Sequence, residues 1–100
     1  MTTITFERSG GVVGNDLHLD LDLDTLAEDE AQHLLKLIDE ADFFNIPEQS
    51  TEQFTPDEFK YKIAVDAGQT SHTVYTSDST IPKNLLPLAK ELTMLKILHQ

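Results

Sequence analysis

The chain has 100 residues with 18 acidic and 7 basic side chains, a formal net charge of −11, and that length supports one domain, residues 1–100, with a core of its own. A hydrophobic content of 39% against 25% charged is ordinary for globular chains and excludes disorder; the lack of cysteine excludes a disulfide scaffold, a thiolate zinc site and a cysteine nucleophile. The acidic field repels phosphate backbones and anionic lipid, so neither nucleic acid nor membrane is an expected partner, and a protein is.

In chain order, residues 2–8 alternate, with Ile4 and Phe6 on one face and Thr3, Thr5 and Glu7 on the other, the period of a strand. Ser9-Gly10-Gly11 breaks the pattern as a turn. Leu17, Leu19, Leu21 and Leu23 then alternate with His18, Asp20, Asp22 and Asp24, predicting a second strand with one dry and one wet face. Residues 12–16 form the long or bulged tip of this first hairpin.

Asp24 or Thr25 is expected to cap a helix whose first turn holds Glu28, Asp29 and Glu30, suited to the positive end of the dipole. Ala27, Ala31, Leu34, Leu35, Ile38 and Ala41 recur at three and four, opposite Asp29, His33, Lys36 and Glu40. Phe43, Phe44 and Ile46 extend the apolar face, and Pro47 is expected to stop the helix. Residues 48–58 are polar and turn-rich, with Phe54 the one large apolar side chain. Phe59, Tyr61, Ile63 and Val65 alternate with Lys60, Lys62 and Ala64, and Asp66-Ala67-Gly68-Gln69 turns the chain back into residues 71–77. After a loop at 78–80, Ile81-Pro82 leads to a second helix over about Pro87 to Leu98, with Leu88, Leu92 and Leu95 at helical spacing.

The order ββαββα predicts an α+β fold: a four-stranded, largely antiparallel sheet with both helices on one face. The leucines of the second strand are expected to be buried and its aspartates wet, opposite Lys60 and Lys62. With the first helix running back along that strand, three loops share one end of the domain. Their residues Gly10, Gly11, Val12, Val13, Phe54, Thr55, Thr80 and Ile81 form the candidate binding rim, since loops on a rigid scaffold are where recognition is built. Ile81 has the alternative of folding back to staple the second helix. Met94 and Ile97 are expected to continue the core, the alternative being a self-association patch.

Chemical constellations are sparse. Asp20-x-Asp22-x-Asp24 begins like a calcium loop, but its sixth position is Thr25 and its twelfth Ala31, where glycine and a bidentate glutamate are needed. Glu30-x-x-His33 has the spacing of a carboxylate-bridged metal motif without a second copy, and reads instead as a surface pair. No Gly-x-Ser-x-Gly elbow and no phosphate-binding glycine loop is present. The expectation is a non-enzymatic monomer without cofactor or metal. The N-terminus lacks the basic and apolar regions of a signal peptide, so the expected location is cytoplasmic.

The order of features resembles one family. Phe6-Glu-Arg8-Ser9-Gly10-Gly11-Val12 opens the domain; Leu37-Ile-Asp-Glu-Ala-Asp-Phe-Phe44 closes the first helix ahead of Ile46-Pro47. Phe59-Lys-Tyr61 to Val74 forms the second hairpin, and Ile81-Pro82 to Leu86-Pro87-Leu88 follows. These stretches are similar to the emfourin family, the protealysin-inhibitor group of small bacterial proteins. The resemblance implies stoichiometric inhibition of thermolysin-like zinc metallopeptidases; with no thiol to chelate the zinc, plugging of the active-site cleft is the expected mode. It supplies no inhibitory residues, so the rim above rests on the loop argument alone. The competing expectation is an adaptor or immunity-type module with no protease target; a small enzyme with a dispersed site is the weaker third.

Overall fold

The computed structural model describes residues 2–10, 16–47 and 58–98. Strands β1 (Thr3–Gly10) and β2 (Leu17–Asp22) are followed by helix α1 (Glu28–Glu40), strands β3 (Phe59–Asp66) and β4 (Ser71–Ser77), and helix α2 (Leu86–Leu98). The sheet is antiparallel throughout, in the order β2-β1-β3-β4. The ββαββα reading therefore holds, with both helices on one face.

The central strands carry the core. Alternation points Ile4 and Phe6 of β1 and Ile63 and Val65 of β3 toward the helices, and all four are buried. The register places Phe6 between Leu19 and Ile63, and Ile63 beside Val74. Leu34 and Ile38 of α1 and Leu88, Leu92 and Leu95 of α2 close over this layer. The opposite face of the sheet presents Thr5, Glu7, His18, Asp20, Lys62 and Tyr75.

Strand β2 differs from the expectation. It is an edge strand, so Leu17, Leu19 and Leu21 are only half-buried; the fully packed Leu23 lies beyond it, in a 3-10 turn over Leu23–Thr25. Asp20 is wet, and its bond to His18 at 2.8 Å, then the bond it accepts from the Thr5 hydroxyl at 3.0 Å, hold its carboxyl below the usual range. Asp22 is half-buried, and its carboxylate caps the 3-10 turn by accepting from the Asp24 amide at 3.0 Å. Because β1 separates β2 from β3, Lys62 meets Glu7 at 3.5 Å rather than the aspartates.

The helices depart from expectation at their ends. Neither Asp24 nor Thr25 caps α1; its N-cap is Ala27, which gives no side-chain bond. The helix stops at Ala41, before Pro47, because Asp42 turns left-handed at φ 52°. Phe43–Asn45 then form a 3-10 turn whose rings close on β4, Phe43 standing edge-on to His72 at 5.5 Å. His72 Nε2 bonds the Ile46 carbonyl. Thus α1 begins beside the end of β2 and finishes on β4, crossing the sheet instead of running back along β2. His33 reaches Glu91 of α2 at 3.8 Å, not a metal partner.

Helix α2 is apolar on both faces. Leu88, Ala89, Leu92 and Leu95 are buried, whereas Met94, Ile97 and Leu98 are 56%, 55% and 70% exposed. Met94 and Ile97 do not continue the core: at 100° per residue they point away from Leu92, on the stripe with Lys90.

Placement decides cost. Ile63→Ala is expected to destabilise by about 2–5 kcal/mol, Leu21→Ala on the half-exposed edge by about 1–2 kcal/mol, and Asp22→Ala by about 0.5–2 kcal/mol through the lost cap. Denaturant titration checks the order; a Leu21 variant as unstable as the Ile63 variant would contradict the edge assignment.

Candidate functional site

The rim is built where β1 stops. The last β1–β3 pair is Gly10 with Phe59. Gly10 has φ +88°, and a Cβ there would sit 2.8 Å from the Glu58 carbonyl oxygen. Both facts demand glycine, since an L side chain would meet strain and a backbone clash together. The β3–β4 ladder ends at the same level, Lys60 opposite Ser77. Gly10, Glu58–Phe59 and Asp78–Ile81 therefore meet at one end, while the Ala67–Thr70 turn lies at the other.

Side chains lock this end. The Phe59 amide donates to one Asp78 oxygen at 3.1 Å and the Tyr61 hydroxyl to the other at 2.7 Å. The Asp78 amide returns a bond to the Phe59 carbonyl at 3.2 Å. The Ser79 amide donates to the Glu58 carboxylate at 2.7 Å. Thr80 is turned inward, its hydroxyl 3.1 Å from the Ser77 amide and 2.9 Å from the buried Ser77 hydroxyl. The Ile81 amide bonds the Ser77 carbonyl at 2.8 Å. Arg8, two residues before Gly10 on the helix-facing side of β1, lays its guanidinium 4.1 Å over the Phe59 ring.

Of the residues proposed from sequence, Gly10 and Thr80 stand at the rim, Thr80 as a turn-closing group. Ile81 packs against the core, the stapling alternative. Gly11, Val12, Val13, Phe54 and Thr55 lie outside the described residues. The route assumed for the 48–58 loop needs correction: the chain is beside His72 at Ile46, near the start of β4, and at the rim by Glu58. That loop therefore joins the two ends of the sheet rather than starting at the rim. Sequence reading missed Arg8, Glu58, Tyr61 and Asp78. Arg8 and Tyr61 were legible as strand residues, but their cross-strand alignment was not; Asp78 looked like any loop aspartate.

The arrangement suits binding more than chemistry. Among the described residues no group of three or more His, Asp or Glu side chains could hold a metal. Among the described residues, a hollow of 380 Å³ lies between Ala41–Pro47 and Pro82–Asn84. It is lined by Asp42, Asn45, Lys83 and Asn84, without a nucleophile and base in reach of each other.

Burial, and then the bond to Asp78, pushes Tyr61 up to about 12. A raised folded pKa means its stabilisation is complete below the ordinary tyrosine value near 10 and is lost as pH rises toward 12. Ultraviolet titration of Tyr75→Phe, which leaves Tyr61 as the sole tyrosine, is expected to show phenolate only near pH 12. A midpoint of 10 would mean that Tyr61 is neither buried nor bonded to Asp78.

The emfourin family model matches residues 6–93. No curated protein and no solved structure matches the chain. The matched span runs from Phe6 within β1, through β2, α1 and the second hairpin, to Thr93 within α2, and so includes the described residues of the rim. The chain belongs to the emfourin family, a group of non-catalytic protealysin inhibitors that act on thermolysin-like metallopeptidases.

Proposed function

We propose that this chain inhibits a thermolysin-like metallopeptidase by one-to-one binding, seating the rim in the active-site cleft and blocking it. The observation that carries the reading is the hydrogen-bonded lock at Glu58, Phe59, Asp78 and Ser79. It fixes the ends of the loops on either side before any partner arrives, so little ordering entropy is lost on binding. A stiff segment also resists cleavage, because its backbone cannot move into attack geometry. With no cysteine in the chain, no thiolate is on offer to the zinc, which favours steric plugging over chelation by sulfur.

Phe54 is the apolar anchor of this proposal, since seating a phenylalanine in an apolar pocket is worth about 1.5–3 kcal/mol. Phe54→Ala is expected to weaken inhibition about ten- to a hundred-fold with the thermal midpoint unchanged. Gln69→Glu, in the turn at the opposite end, is expected to leave inhibition as it was. Inhibition constants against a thermolysin-like protease decide: loss from Gln69→Glu and not from Phe54→Ala would place the surface at the wrong end. A parent chain that inhibits no such protease would favour the adaptor.

A further inference from the structure

We propose that Arg8 is a binding residue of the inhibitory surface and takes a carboxylate of the target protease; this rests on the inhibitor reading above and names the chemistry it meets.

Arg8 is an unusual side chain in this molecule. It lies on the face of β1 that holds Ile4 and Phe6, in the row with Leu17 and Tyr61, one step in from the rim. Its Nε is buried and has no hydrogen-bond partner among the described residues. An orphaned buried donor is uncommon, because the fold forgoes a water bond without gaining another. The chain carries 18 carboxylate side chains against 7 basic ones, yet no described carboxylate pairs with Arg8. Asp78, which serves the same two aromatic residues, has one oxygen taken by the Phe59 amide and the other by the Tyr61 hydroxyl.

The guanidinium is also held still. Its central carbon lies over the Phe59 ring, 4.1 Å from the centroid, and the Phe59 backbone is held by Asp78 through its amide. A stacked arginine has lost most of its rotamer freedom before binding, so its fork can engage at small further entropic cost. Arginine beside tyrosine and phenylalanine is the composition of interface hot spots. The planar fork donates two parallel N–H bonds to a pair of oxygens, which on a protein surface means a carboxylate. Arg8 and Lys60, both close to the rim in the β1–β3 register, also give a partner's acidic surface an end to approach on a molecule of charge −11.

The test compares the parent, Arg8→Lys and Arg8→Met in inhibition of a thermolysin-like protease, with thermal midpoints alongside. Both variants are expected to raise the inhibition constant tenfold or more with midpoints no lower than the parent's. Lysine keeps the charge and loses the fork; methionine keeps the apolar stem and removes the orphaned donor. In the complex, the Arg8 Nε–H resonance is expected to shift and to exchange slowly with water. Arg8→Met inhibiting as well as the parent would overturn the proposal while leaving the inhibitor reading intact. So would midpoints that fall in step with inhibition, which is the signature of a packing role. A parent that inhibits no thermolysin-like protease would remove both.

Discussion

The position of β1 between β2 and β3 is the constraint on which the rest depends. Paired on both sides, β1 buries Ile4 and Phe6 without relief from either edge, and the helices must cover them. The same pairing runs to Gly10 opposite Phe59, and so sets where the rim begins. Because β3 starts there and β4 ends there, Glu58 and Asp78 are brought to Gly10 by register alone. The Asp78 carboxylate then closes the end, bonding β3 through the Phe59 amide and the Tyr61 hydroxyl. One strand's placement thus yields the core and the presentation of the loops together.

Element types were legible because alternation and helical spacing report burial directly. The four strands and two helices stand where Ile4 and Phe6, the α1 stripe, Ile63 and Val65, and Leu88, Leu92 and Leu95 put them. What periodicity does not carry is strand order. The leucine face of β2 reads as buried, yet β2 is an edge, and a side chain there has one neighbouring strand rather than two. The path of α1 was misread for a related reason. Asp42, an ordinary exposed aspartate in the sequence, takes the left-handed conformation that ends the helix, and Phe43 and His72 then draw the chain to β4. Long-range contacts of that kind leave no local trace.

The rim was half legible. Turn residues marked Gly10 and the 78–80 loop, while the packing of Ile81 on the core stood only as an alternative and the bond between the Thr80 hydroxyl and Ser77 was not legible. The residues that stiffen the end, Glu58, Tyr61 and Asp78, act across strands and were invisible to a reading along the chain. Helix α2 shows the opposite case. Its leucine stripe was read correctly, while Met94 and Ile97 on the far side were assigned to a core that has no room behind them. They remain an exposed apolar strip beside Lys90.

The account's central claim is that one end of the sheet, and not a helix face, meets the protease. Hydrogen–deuterium exchange of the chain, free and bound to a thermolysin-like metallopeptidase, tests this most directly. The account predicts added protection at Ser9–Gly10, Glu58–Phe59 and Asp78–Ile81, with the Ala67–Thr70 turn unchanged. Protection confined to that turn, or to the Met94–Leu98 strip of α2, would contradict it.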